Sequence, residues 1–313
     1  MSLTETKILE IIREIINPVL APGANDLLDD GAALPPCAAT HTRVVSLDAF
    51  QEHNDFKIGL GPLQSAGYRA IVQNLSDLAA LGAKPVGFLW SLELPELWLA
   101  NDAQFLREFC QGAVTACQQY NLQLYGGDLS GAQANFSCAI TIFGDVDGKP
   151  LSRRGAQPGD KIYVSRPLGG SAAGLKALVT NYQPGQGHDD NVTRHLEPVP
   201  ELLLGQMLVG LATAGMDTSD GLAKDLYRLC KASGVGAKLD HIPICSGASL
   251  EQALYGGEDY ALLFTASEST FGIEIGEITK NPQLLLKNAE GFTVLNEDGF
   301  DHFSSFSSGQ AAL

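Results

Sequence analysis

Apolar residues recur at helical spacing near the start of the chain, where Ile8, Leu9, Ile11, Ile12, Ile15 and Ile16 form a stripe that stops at Asn17-Pro18. Val44 to Leu47 then reads as a short strand that delivers Asp48, and a helical pattern over 64–81 is closed by Gly82. In that helix Ile71, Leu75 and Leu78 make one apolar row, with Ala70, Asn74, Asp77 and Leu81 in the row beside it. Asn74 and Asp77 are therefore expected at the edge of the buried face. A strand over 86–92, a long helix over 98–120 and a strand over 136–142 follow, the last marked by Phe136, Cys138, Ile140 and Ile142 alternating with smaller residues. Residues 144–160, rich in glycine, charge and proline, read as a domain boundary. Beyond it the pattern predicts a strand over 161–164 and a helix opened by Gly169-Gly170-Ser171 and running to about 181. A polar loop over 183–195, helices over 198–214 and 221–232, and a strand over 260–265 complete it. Such alternation predicts an α/β protein with mixed sheets in two domains, 1–148 and 149–313.

Composition narrows the partners. The 313 residues carry a formal net charge of −16, which argues against nucleic acid and against an anionic membrane surface. The excess is spread along the chain, with 8 Lys+Arg against 17 Asp+Glu in residues 1–150, so the body itself is acidic. A polyanion such as ATP would need metal ions to supply positive charge. Six cysteines show neither a Cys-x-x-Cys pair nor zinc spacing, and read as reduced thiols of a cytoplasmic protein, with Cys110 and Cys117 sharing a buried helix face. No signal-peptide pattern opens the chain. The most apolar region, 86–100, is interrupted by Glu93, Pro95 and Glu96 and is not a membrane span.

The candidate chemistry lies in short carboxylates set beside glycine and hydroxyl residues. Gly126-Gly127-Asp128 follows the apolar Leu122, Leu124 and Tyr125 and reads as the start of a polar loop. Its glycines would let backbone approach a phosphate, and the aspartate would hold a divalent cation, although an ordinary turn has the same signature. Asp29-Asp30, Asp48 and Asp77 occupy similar settings; Asp77 lies about one turn from a helix C-terminus, where the macrodipole disfavours negative charge. In Asp217-Thr218-Ser219-Asp220-Gly221, either Ser219 or Asp220 is a good N-cap for the next helix, and a helix N-terminus is also a phosphate site. Gly169-Gly170-Ser171 reads as a plain cap. Arg153-Arg154 suits either a phosphate clamp or a solvated linker. Of the six histidines only His53 has a site argument, the others reading as loop or surface residues. No Walker A, kinase-type or Rossmann glycine pattern is present.

Taken in order, these residues resemble the thiamine-monophosphate kinase family, within the superfamily that includes aminoimidazole ribonucleotide synthetase. The segments that carry the resemblance are Asp29-Asp30, Ser46-Leu47-Asp48, Asn74-Leu75-Ser76-Asp77, Gly126-Gly127-Asp128, Arg153 ahead of Gly155-Ala156, 217–222, Gly256-Gly257-Glu258-Asp259-Tyr260 and Gly299-Phe300-Asp301-His302-Phe303. The resemblance implies a two-domain fold whose N-terminal domain pairs with its twin in a homodimer, ATP bound at that interface, and direct Mg2+-assisted transfer of the γ-phosphoryl group to thiamine monophosphate. It implies Asp30, Ser46, Asp48, Asp77, Asp128, Asp217 and Asp220 as magnesium ligands, with Leu47 acting through its backbone. It implies Gly126, Gly127, Arg153 and Ser219 at the nucleotide, and Glu258 and Phe300 at the thiamine. Two positions depart from the family pattern: Leu47 stands where threonine is usual, and Asp55 where a histidine touches the acceptor, with His53 two positions earlier. His53 and Asp55 are thus the remaining acceptor candidates. The rival readings are an aminoimidazole ribonucleotide synthetase-like enzyme with another small-molecule acceptor and an inactive nucleotide-binding paralogue.

Overall fold

The computed structural model describes residues 4–21, 34–180, 182–183, 185 and 189–300. They form two compact units, one built from residues up to Leu75 and from Pro85–Asp145, the other from Ser76–Lys84 and from Val146 onward.

In the first unit, α1 (Glu5–Ile16) starts where the Thr4 side chain accepts the Lys7 amide, and ends in a short 3-10 turn at Asn17–Val19, as Asn-Pro dictates. A four-stranded sheet follows, in the order β1 (His41–Gln51), β4 (Ser137–Asp147), β2 (Lys84–Pro95), β3 (Gln123–Ala132). Helices α2 (Leu63–Leu81) and α3 (Ala100–Gln119) cross at two glycines. A Cβ on Gly67 would fall 1.9 Å from the Phe109 carbonyl oxygen, and one on Gly112 would fall 1.8 Å from that of Gln64. Neither position tolerates any side chain. Trp98 stacks on Phe136 at 3.8 Å between ring centroids, and Phe56 and Phe109 meet the pair edge-on. The Trp98 indole N–H and the Phe136 amide both donate to Oε2 of buried Glu52. Cys110 and Cys117 do share the buried face of α3.

The second unit is a seven-stranded mixed sheet in the order β11 (Gly291–Val294), β10 (Leu284–Asn288), β7 (Gly236–Leu239), β9 (Ile273–Thr279), β5 (Lys161–Val164), β8 (Leu262–Ala266), β6 (Ala214–Asp217). Strand β5 runs antiparallel to both its neighbours, whereas β10 runs parallel to β7. Ile162, Val164, Leu226, Leu229 and Leu263 form part of its core.

The mixed-sheet α/β class is as expected; several elements are not. Residues expected as one polar loop contain α5 (Asp189–Leu196), which packs against α4 (Gly170–Val179) so closely that a Cβ on Gly174 would fall 2.0 Å from the Asn191 carbonyl oxygen. The helix expected over 198–214 is confined to α6 (Leu202–Leu208), because Gly210 turns left-handed and 214–217 joins the sheet as β6. Helices α7 (Leu222–Ser233) and α8 (Leu250–Tyr255) complete the set, the latter closed by a capping box between Ser249 and Gln252. No helix among the described residues is long and apolar enough to cross a membrane.

Candidate active site

Strand β6 delivers Asp217 from its C-terminal end into the second unit. Only 3% of Asp217 is exposed, and its Oδ2 accepts a 2.6 Å hydrogen bond from Ser76 Oγ. Burial first, and then the charge of Asp77, lift the Asp217 carboxyl to about 6, against the smaller opposing pull of Arg153. Ser76 and Asp77 lie in the last turns of α2, where free carbonyls make negative charge unwelcome. Two carboxylates are thus held together by the fold against their mutual repulsion.

The loop that follows is fixed from inside the next helix. Asp225, fully buried in the first turn of α7, accepts the amides of Ser219 and Asp220 with one oxygen, each at 3.0 Å. Burial, aided by the charges of Asp217 and Asp220, raises the Asp225 carboxyl to about 7. Its other oxygen accepts Arg228 Nη1 at 3.0 Å, and the same nitrogen lies 2.6 Å from Asp220 Oδ2. Lys224 Nζ stands 3.3 Å from that carboxylate as well, so Asp220 is ion-paired with two cations. The capping expectation fails here. The N-cap is Gly221, at φ 108, which has no side chain to cap with, while Asp225 holds the two loop amides ahead of it.

Two further segments hang from this loop. The Glu258 amide donates to the Ser219 carbonyl at 2.8 Å, and the Phe300 amide to the Asp220 carbonyl at 3.0 Å. Lys224 Nζ donates to the Phe300 carbonyl. Gly257 is required, since a Cβ there would fall 2.5 Å from the Ser219 oxygen. Glu258 and Tyr260 adopt left-handed backbone, at φ 63 and 48, which is uncommon for such residues. The next carboxylate, Asp259, accepts the amides of Gly169 and Ser171 and so caps α4, a plain cap supplied from a distant loop. Arg166 Nη2 clamps the carbonyls of Val199, Asp259 and Tyr260. Segment 153–156 is fastened by Ser233, whose hydroxyl donates to the Arg153 carbonyl and accepts the Gly155 and Ala156 amides, while Arg153 itself is exposed.

In the first unit Gly126-Gly127-Asp128 lies within strand β3, not in a loop. Gly127 pairs with Trp90 and Asp128 with Ser91 in a parallel ladder. A Cβ on Gly127 would fall 2.4 Å from the Trp90 carbonyl oxygen, so the glycine is required by its neighbour strand as well as leaving an open face. Asp128 is exposed, with Ser91 Oγ 3.5 Å from its Oδ2. In β1, Ser46 and Asp48 are half-buried and Leu47 is 62% exposed. His53 sits in a left-handed turn with its side chain half in solvent and Nε2 4.0 Å from Glu52 Oε1. Asp55 Oδ2 accepts the Gln51 amide at 2.7 Å, so its carboxylate fastens that turn. Asp29 and Asp30 lie outside the described residues.

Among the described residues no three His, Cys, Asp or Glu side chains are close enough to enclose a metal ion. The donors still fit a hard divalent cation. Asp217 is buried beside the charge of Asp77, and Asn74, one turn before Asp77, is fully buried with an Oδ1 that has no hydrogen-bond partner among the described residues. One functional candidate carries almost no signal in the sequence. His195 is 4% exposed, not a loop or surface residue, and its Nδ1 lies 3.0 Å from Ser171 Oγ and 3.4 Å from Glu258 Oε2. Because 183–195 reads as a loop, the one available hint, a histidine one position after Arg194 in an amphipathic stretch, has no weight.

The family model described as AIR synthase related protein, N-terminal domain, matches residues 28–146. The chain is 38% identical to the thiamine-monophosphate kinase of Salmonella typhimurium over 80% of each chain. It is 35% identical to that of Escherichia coli K12, over 89% of this chain and 92% of the relative. The solved AaThiL, complexed with AMPPCP and TMP, superposes with a TM-score of 0.77 at 27% identity, covering 97% of this chain and 99% of that one.

Proposed function

The chain belongs to the thiamine-monophosphate kinase family, and from that membership we propose an ATP-dependent kinase that phosphorylates thiamine monophosphate to thiamine diphosphate. The observation that carries the reading is the loop 217–221, whose residues Asp217, Ser219 and Asp220 belong to the nucleotide and metal set while its carbonyls hold Glu258 and Phe300 of the acceptor set.

A phosphate monoester carries nearly two negative charges at neutral pH and needs no general base to attack; its obstacle is repulsion from the triphosphate. Asp30, Asp48, Asp77, Asp128, Asp217 and Asp220, with Ser46 and the Leu47 carbonyl, are the groups that would hold magnesium. Bound there, Mg2+ supplies charge neutralisation at the phosphate oxygens. Asp77 and Asp217 are pre-positioned for this by Ser76 and by burial. Gly126 and Gly127, on opposite faces of β3, leave the strand bare of side chains at that point for close approach of the nucleotide, and Arg153, its backbone pinned by Ser233, presents an exposed guanidinium suited to a phosphate. Ser219 would add a hydroxyl to the nucleotide set. Glu258 and Phe300 offer the thiamine a carboxylate and an aromatic face. His53 is the remaining acceptor candidate, on a turn that Asp55 holds in shape.

The N-terminal domain, 1–148, also pairs with a second copy of the chain, while 149–313 forms the C-terminal domain. Val45 and Leu47, two apart on edge strand β1, are 65% and 62% exposed, and Leu89 on β2 is 40% exposed. Covering them would contribute about 1.5–3 kcal/mol for each side chain fully buried. Six unbridged thiols, five of them buried, agree with a cytoplasmic setting.

Purified protein incubated with Mg-ATP and thiamine monophosphate should yield thiamine diphosphate and ADP in equal amounts by liquid chromatography. Phosphorylation of a different small molecule but not of thiamine monophosphate would refute the acceptor; ATP binding without turnover of any acceptor would refute the kinase.

A further inference from the structure

The turn carrying Glu258 has a dedicated support that the phosphoryl-transfer reading does not use. Glu258 sits at a left-handed backbone position, and its amide is committed to Ser219, so the backbone is fixed. Its side chain, 28% exposed, retains its own freedom unless another group holds it. Oε2 lies 3.4 Å from Nδ1 of His195, which is itself nearly sealed from solvent. That imidazole is pinned from two sides: by Ser171 Oγ at 3.0 Å, and by the glycine-tight crossing of α4 on α5 at Gly174. A carboxylate only accepts, so the tautomer or imidazolium with a proton on Nδ1 is the form that donates toward Glu258, with the Ser171 hydroxyl as the second partner of the same nitrogen. Ser171 is fixed in turn because its amide is one of the two that Asp259 caps, and Asp259 adjoins Glu258. The arrangement closes a ring, Glu258–His195–Ser171–Asp259, from the acceptor carboxylate back to its own loop.

We propose that His195 is a positioning residue that fixes the Glu258 carboxylate for recognition of the cationic, amine-bearing thiamine moiety, and so sets acceptor affinity without touching the nucleotide. This rests on the assignment of Glu258 to the acceptor. The test compares Glu258→Ala, His195→Ala, His195→Asn and His195→Gln by KM for thiamine monophosphate, KM for Mg-ATP and Tm. E258A should raise the acceptor KM by about tenfold or more and leave the ATP KM within about twofold, the size of a lost charge-assisted contact. H195A and H195Q should raise the acceptor KM by at least about fivefold, again sparing ATP, whereas H195N, which keeps a donor where Nδ1 stood, should return within about twofold of wild type. In an E258A background, H195A should add nothing. Should H195A not fold, H195Q against H195N carries the comparison. An acceptor KM that rises in E258A but not in H195A or H195Q overturns the role of His195 alone. An unchanged acceptor KM in E258A overturns the Glu258 assignment and the proposal with it. Equal losses toward both substrates in H195N and H195Q, tracking Tm, reduce His195 to a packing residue.

Discussion

Asp217→Asn separates what the site contributes to function from what it takes from stability. In the unfolded chain an aspartate titrates near 3.8, whereas burial and the Asp77 charge hold Asp217 at about 6 in the fold. The folded state therefore binds that proton more tightly, and the stabilisation this gives is present at low pH and lost as pH rises through about 6. The charged form then costs the fold about 3 kcal/mol at pH 8, and about half of that at pH 5. Asparagine carries no charge, and its Oδ1 can still accept from Ser76. In EDTA at pH 8, urea denaturation should find the variant more stable than wild type by up to about 3 kcal/mol, with the gap narrowing toward pH 5. Millimolar Mg2+ should then stabilise wild type and leave the variant unmoved, because only the paired carboxylates gain from a cation. Turnover should be lost in the variant. A wild type as stable as D217N at pH 8 in EDTA, or Mg2+ shifting both alike, would refute the argument that these carboxylates are held together for a cation.

Gly67→Ala and Gly112→Ala should each destabilise the first unit by about 1–3 kcal/mol in denaturant titrations, since each Cβ would fall within 2 Å of a backbone carbonyl oxygen across α2 and α3. Val45→Asp should convert a dimer to monomers in sedimentation velocity while leaving the far-UV spectrum unchanged; a persistent dimer would place the interface elsewhere. Asp225→Ala strips two loop amides of their acceptor and should lower stability by about 2–4 kcal/mol, raising the KM values for ATP and for thiamine monophosphate together, unlike H195A.

Local pattern is enough for the elements that stand on their own. The helix closed by Gly82, the rows that set Asn74 and Asp77 at the edge of its buried face, where Asp77 stays half-buried while Asn74 goes fully inside, and strand 161–164 are legible because periodicity and punctuation act over a few residues. The failures share a cause in long-range contact. Gly126-Gly127-Asp128 looks like a turn because glycine is depleted in strands, yet Trp90 on the neighbouring strand demands a residue without Cβ. The fastening of the loop before α7 escapes local pattern because the acceptor of the Ser219 and Asp220 amides, Asp225, acts backward from inside the helix. His195 is unreadable, since its partners Ser171 and Glu258 are 24 and 63 positions away in sequence.

The second unit concentrates its unfavourable features in one place. Asp217 and Asp225 are buried carboxylates pushed toward neutrality, and half-buried Asp220 is ion-paired with both Lys224 and Arg228. Glu258 and Tyr260 hold left-handed backbone on the segment that leans on the same loop. Each is of a kind that costs about 1–3 kcal/mol and that a chain selected for stability alone would shed. Their coincidence on one loop has no packing rationale, because the core that supports it, from Leu222 to Leu229, is already sealed. Strain and buried charge thus mark 217–221 independently of any resemblance. Under the proposed reading the two kinds would divide the labour, repelling charges serving where cations gather and a stiff, strained turn where a small cationic ring is told apart from others.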